Sequence, residues 1–143
     1  MLETTLFNKE EIAEELKIGT DLFVESQRTP ILHNKLNVIL LELKKRKTYL
    51  SRDYHKLYKK QWEYYSGKAD PEVYKQHPFP FRILKGDIEK YLAADVELSE
   101  LACIVEQLDN DIEFISESLK QVGQRSFLVR NMIAYLEYLN GIN

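Results

Sequence analysis

Residues able to carry out covalent or metal chemistry are few and scattered in this 143-residue chain. The three histidines, His33, His55 and His77, have no ligand partner at metal spacing, and none lies beside Cys103 in sequence. They read as solvated or core side chains. The single cysteine excludes an internal disulfide and any cysteine-rich zinc module. Cys103 falls beside the apolar rows of a helical stretch, the place of a small buried hydrophobe. Ser66-Gly67-Lys68 lacks the upstream glycine and the framing of a phosphate loop and reads as a helix stop. The acid pairs Asp109/Asp111 and Glu113/Glu117 suit a solvated helix. No nucleophile, no general base with its orienter and no metal cage emerges. The sequence reads as a non-enzyme, with no catalytic residue, no metal and no cofactor.

Charge is more informative. Residues 1–25 hold seven acids and two bases; residues 44–68 hold nine bases and two acids; residues 87–117 hold ten acids and one base. A basic segment therefore lies between two acidic ones, although the whole chain is only at −3. Two readings stand side by side. Helices of opposite sign pair with one another, or the basic segment is a contact surface for a polyanion.

The elements that must position these charges are helical. Hydrophobic residues make up 44% of the chain and charged residues 30%, with only 5 Gly and 4 Pro. So few turn residues argue against a β-sandwich or barrel, which needs a turn about every 10 residues. No apolar run approaches the ~20 residues that span a bilayer, and the first residues lack the pattern of a secretory signal. A soluble intracellular protein of one helical domain is expected.

Asn8 with Glu11 forms a capping pair, and Phe7 with Ile12 an apolar staple, for a short helix ending near Gly19. Residues 1–28 form this N-terminal segment, with Thr20 to Gln27 unassigned. Thr29-Pro30 reads as the cap and first turn of a long helix over 29–67, closed by Gly67 and about 55 Å long. Leu36, Leu43, Leu50, Leu57 and Tyr64 recur every seventh residue, but Arg46, Asp53 and Lys60 spoil the second row, so this helix needs partners. Residues 68–86 are proline-rich and irregular. A second long helix is expected over 87–141, acidic and then apolar, with Gly123 inside it or at a bend. Tyr91, Leu98, Val105, Ile112 and Leu119 form one of its rows; Ala94, Leu101, Leu108, Ile115 and Val122 form the other. Beyond them Phe127, Leu128, Met132, Ile133, Tyr135, Leu136, Tyr138 and Leu139 make it apolar on several faces, the pattern of a buried helix. In a chain this short, other subunits supply that burial. The expected architecture is all-α: two long helices in an elongated hairpin plus a short N-terminal helix, assembling into a homo-oligomer. Its oligomerisation residues are Leu98, Leu101, Val105, Leu108, Ile112, Ile115, Leu119, Phe127, Ile133 and Leu136.

At 100° per residue, Lys45, Arg52, Lys56 and Lys59 fall within an arc of roughly 60° opposite the apolar line, bordered by Tyr49 and Lys60. Five of the nine tyrosines and the only tryptophan lie between positions 49 and 65. A basic stripe tracks a phosphate backbone, and neighbouring aromatics stack on unpaired bases, so single strands fit better than duplex. A solvated helix back is the plainer alternative. It normally mixes charge signs, and this one barely does. A basic helix lying on a membrane fits less well, because the bases lie opposite the apolar face instead of flanking it. A coiled-coil adaptor with no nucleic-acid role remains the rival reading.

Three pieces of the sequence resemble one family. Trp62-Glu63-Tyr64-Tyr65-Ser66-Gly67-Lys68-Ala69-Asp70, preceded by Lys59 and Lys60, is similar to the basic-then-YYSG[KR] segment of the UvsY recombination mediators of tailed phages. Leu92-Ala93-Ala94-Asp95 resembles the family's LxAD stretch, and Arg125-Ser126-Phe127-Leu128-Val129-Arg130 its R-x-F-x-[IV]-[KR] run. The resemblance covers residues 40–141, more weakly the first forty. It implies a DNA recombination, repair and replication accessory protein that binds single-stranded DNA. Such a protein helps load a RecA-type recombinase onto strands coated by the phage single-strand-binding protein. It implies a ring of about six or seven subunits in the cytoplasm of an infected bacterial host, with no membrane partner. The family's basic residues map to Lys59 and Lys60, Lys68 fills its [KR] position, and one further basic position is Gln61 here. With the stripe, the candidate DNA-binding set is Lys45, Arg52, Lys56, Lys59, Lys60, Tyr64 and Lys68.

Overall fold

The computed structural model describes residues 6–141. It contains five α-helices: α1 (Lys9–Leu16), α2 (Leu22–Tyr65), α3 (Pro71–Gln76), α4 (Ile88–Ala93) and α5 (Val96–Leu139), with a single 3-10 turn at Lys85–Asp87. No strand occurs among the described residues, as the sequence predicts. The chain divides into two compact units, one built from residues up to Lys44 and from Asn110 onward, the other from Lys45–Asp109.

In the first unit the Asn8 carboxamide oxygen caps α1, accepting from the backbone N–H groups of Glu10 and Glu11 at 2.8 and 3.1 Å. The Phe7 ring stacks on Phe114 of α5, with centroids 5.9 Å apart. The core combines Ile12 of α1, Leu32, Leu36, Leu40 and Leu43 of α2, and Ile115, Val122 and Val129 of α5. α2 starts at Leu22 rather than at Thr29, and Asp21 caps it by accepting the Val24 N–H at 3.2 Å. Pro30 therefore sits inside the helix. The Thr29 hydroxyl turns inward there, donating to the Glu25 carbonyl at 2.9 Å and accepting from Arg125 Nε at 3.2 Å.

Arg125 is the hub of this unit, with a relative exposure of 1%. One terminal nitrogen pairs with the Glu25 carboxylate, and the other donates to the Leu16 and Lys17 carbonyls at 2.8 and 3.3 Å. Arg28 approaches the same place, donating to Glu25 at 3.1 Å and to the Glu15 and Lys17 carbonyls at 2.9 Å. The last turn of α1 has no base of its own. Its orphan carbonyls and negative dipole end are met by these two guanidiniums instead. Burial alone would raise the Glu25 carboxyl; the bonds from Arg28 and Arg125, with the Gly19 N–H, outweigh it and hold it below its usual range. Gly19 leaves room for that approach, since an added Cβ would lie 3.2 Å from the Glu25 carboxylate.

In the second unit, α2 lays Tyr54, Leu57, Tyr58, Trp62 and Tyr65 against Ile88, Leu92 and Leu98. α2 ends at Tyr65, and the chain turns away at Gly67, whose φ is +79°. The Lys68 N–H returns to the Glu63 carbonyl at 2.8 Å and the Gly67 N–H to Tyr64 at 3.3 Å, the Schellman pattern that favours glycine at this position. The proline-rich stretch is not wholly irregular, because it holds α3 and the 3-10 turn. The helix expected from Asp87 is broken at Ala94-Asp95. Asp95 caps α5 by accepting the Leu98 N–H at 2.9 Å, a role in which aspartate outperforms its weak helix-interior propensity. From Val96, α5 runs through Gly123 without interruption.

Candidate nucleic-acid interface

The side of α2 facing away from the apolar cluster carries the basic stripe. Lys45, Arg52, Lys56, Lys59 and Lys60 are all exposed, as is Tyr49. The Arg52 guanidinium lies over the Tyr49 ring, 5.3 Å from its centroid. Among the described residues, no carboxylate comes within 4.0 Å of Lys45, Arg52, Lys56 or Lys60. Lys59 makes one long contact with Glu63 at 3.8 Å. In this unit the acidic stretch of α5 meets the basic segment at Lys47–Asp109, 2.5 Å apart, and Lys47 lies off the stripe. Lys45, Arg52, Lys56 and Lys60 are thus not paired with a carboxylate among the described residues and lie exposed on one side of α2.

The other candidates separate. Lys68 is exposed, with its ammonium 4.6 Å from the centroid of the Trp62 ring. Tyr64 is not presented with the stripe. Its ring stacks on Tyr74 at 5.4 Å and meets Tyr65 and Phe79, and its hydroxyl donates to the His77 carbonyl at 2.9 Å. With both ring and hydroxyl engaged, Tyr64 anchors the following loop. Gln61 points to the opposite side, where its amide donates to Asp95 at 2.8 Å. Asp95 also accepts the Tyr65 hydroxyl at 2.7 Å. Burial, then this bond, pushes the Tyr65 hydroxyl well above the usual tyrosine range. Burial and a bond to Glu89 raise Tyr58 in the same way.

The candidate oligomerisation set divides too. Leu98 and Ile115 are buried within their own units and have no surface to offer another subunit. Leu101, Val105, Leu108, Ile112 and Leu119 are half-buried. Past Ile115 the buried stripe of α5 steps from the Leu119 row to Ser118 and Arg125. The N-terminal segment lies along that flank, with Phe7 stacked on Phe114 and Lys9 of α1 facing Asp111 at 3.7 Å. Phe127, Ile133 and Leu136 are exposed, together with Leu128, Met132, Tyr135, Tyr138 and Leu139. In the same unit α2 exposes Phe23, Val24, Ile31, Val38 and Leu41.

Cys103 is exposed rather than buried, because it projects from the side of α5 away from Leu98 and Leu101. His33, His55 and His77 are exposed. No cluster able to hold a metal ion and no helix long and apolar enough to cross a membrane occurs among the described residues.

The chain is all-α, with the bases of α2 on one side and exposed apolar side chains on α5 beyond Arg125. The sequence matches the UvsY family, described as recombination, repair and ssDNA binding protein UvsY, over residues 11–142. The chain belongs to that family. Crystal structures of the bacteriophage T4 recombination mediator protein UvsY share its fold. One lattice type superposes with a TM-score of 0.82 at 19% identity, covering 92% of this chain and 94% of that one. Another gives 0.81 at 20% identity, covering 91% and 96%. No curated protein sequence matches significantly.

The residues that carry the family resemblance turn out to be largely structural. Tyr64, Tyr65 and Gly67 build the end of α2, Asp95 caps α5, and Arg125 and Val129 lie in the core of the first unit.

Proposed function

We propose that this protein is a non-enzymatic recombination mediator. It binds single-stranded DNA and helps a RecA-type recombinase load onto strands covered by single-strand-binding protein. The observation that carries this reading is the exposed face of Lys45, Arg52, Lys56 and Lys60, unpaired with any carboxylate among the described residues, in a chain of a family described as ssDNA-binding. Lys59 and Lys68 extend the face. Each protomer offers only a few phosphate contacts. The exposed apolar side chains of α5 beyond Arg125 join protomers, and linked faces raise overall affinity through effective concentration. A strand held along several such faces is extended and accessible to a recombinase.

The test is fluorescence anisotropy of a labelled single-stranded oligonucleotide across a salt series. Each base that meets a single-strand phosphate adds about 0.7 to the slope of log affinity against log salt. The variant Lys45→Ala/Arg52→Ala/Lys56→Ala/Lys59→Ala should bind weakly, with a slope shallower by up to about 3 per protomer engaged. A folded wild type that binds no strand at low salt leaves the coiled-coil adaptor as the better account. The loading step is tested separately, by the lag before recombinase filaments form on coated strands with and without the mediator.

A further inference from the structure

The segment between α3 and the 3-10 turn has chemistry that the stripe does not use. Residues 77–85 read His-Pro-Phe-Pro-Phe-Arg-Ile-Leu-Lys and contain no acid. Phe79 is fixed among Tyr64, Tyr65 and Tyr91, with ring centroids 5.4, 5.4 and 5.6 Å away. Phe81 meets Phe79 at 5.7 Å with the ring planes 72° apart, yet remains 62% exposed. Arg82 follows it in the chain and Lys85 lies four residues on; both are exposed, and no carboxylate among the described residues lies within 4.0 Å of either. The nearest acid in sequence, Asp87, is paired with Lys90 at 3.3 Å. The loop is tied to the end of the basic stripe, because Tyr64, which holds His77 by its carbonyl, lies one helical turn beyond Lys60. Pro78 and Pro80 limit the conformations the loop must give up on binding.

We propose that this loop is a second single-strand contact, in which Phe81 stacks on an unpaired base and Arg82 and Lys85 hold the adjoining phosphates. The proposal rests on the single-strand reading of the stripe and adds a base-dependent site to a phosphate-dependent one. A lone exposed phenylalanine is ordinary on a protein surface. Here it packs on a cluster of aromatic rings and is followed within four residues by two cations with no carboxylate partner among the described residues, the kinds of side chain that single-strand stacking sites combine.

The test compares wild type, Phe81→Ala, Phe81→Trp and Arg82→Gln/Lys85→Gln on a short labelled oligonucleotide and on its abasic counterpart, which keeps the phosphates and lacks the bases. Phe81→Ala should weaken binding to the normal strand by roughly 5- to 150-fold, with an unchanged salt slope. Phe81→Trp should retain it, and wild type and Phe81→Ala should bind the abasic strand equally. Arg82→Gln/Lys85→Gln should reduce the slope by about 1.4. Equal binding of the normal strand by wild type and Phe81→Ala overturns this inference while leaving the stripe intact. So does a loss that is the same on abasic DNA. Unchanged DNA affinity with lost recombinase association assigns the loop to a protein partner and overturns it as well. A wild type that binds neither strand overturns both readings.

Discussion

Replacing Arg125 by methionine keeps most of the side-chain volume and removes every polar contact it makes. The substitution leaves the Leu16 carbonyl and the Thr29 hydroxyl short of a partner and takes one guanidinium from Glu25. Removing one member of a buried ion pair costs about 3–5 kcal/mol. Arg28 still bonds Glu25 at 3.1 Å and the Lys17 carbonyl at 2.9 Å, which places the expected loss near the lower end, about 3 kcal/mol. For a chain of this size that is a fall of roughly 10 °C in Tm. Arg125→Lys should recover little, because one ammonium cannot serve three sites lying in different directions. Glu25→Leu/Arg125→Met should lose less than the sum of its single variants, by about 2 kcal/mol, since it strands no buried carboxylate. The assay is urea unfolding followed by circular dichroism, at one fixed protein concentration because association adds to apparent stability. An Arg125→Met variant within about 0.5 kcal/mol of wild type, or strictly additive single variants, would refute the argument; surface substitutions behave in the first of these ways.

The remaining expectations concern pH, the start of α5 and assembly. The Glu25 carboxyl is held below its unfolded value near 4.3, so its contribution is fully present above that pH and is lost as pH falls through the folded value. The urea midpoint of wild type should therefore fall more steeply below about pH 4.3 than that of Glu25→Gln. Asp95→Ala removes the cap of α5 and the acceptor of Gln61 and Tyr65, and should cost about 2–4 kcal/mol in the same assay, with Asp95→Asn intermediate. Ile133→Asp/Leu136→Asp alters side chains exposed in the protomer, so the helical spectrum should persist while light scattering reports smaller species. A truncation with the same aim should begin after Arg130, because Val129 belongs to the core.

Local signals were legible. The Asn8 cap, the Gly67 stop and the arc of Lys45, Arg52, Lys56 and Lys59 each follow from helical geometry over a few residues, and the structure reproduces all three. The start of α2 at Leu22 is hidden in the sequence because Thr29-Pro30 is a good helix opening when read alone. The competing cap at Asp21, and the inward turn of Thr29 toward Arg125, depend on α1 and α5. The packing of Tyr64 on the rings of Tyr74 and Phe79 is not legible in the residues around it, because both rings come from beyond the end of α2.

The helical class, the segregation of charge and the face of α2 that carries the bases can be read from the order of residues. Those properties repeat with the helical period and need no partner. Which apolar residues are buried inside the protomer, what Arg125 and Asp95 bond to, and which aromatic ring stays exposed depend on how the helices pack. Burial and hydrogen-bond satisfaction are settled by groups about 30 to 110 residues away in the chain, as in Tyr65 with Asp95 and Arg125 with Leu16, and no local spacing encodes them.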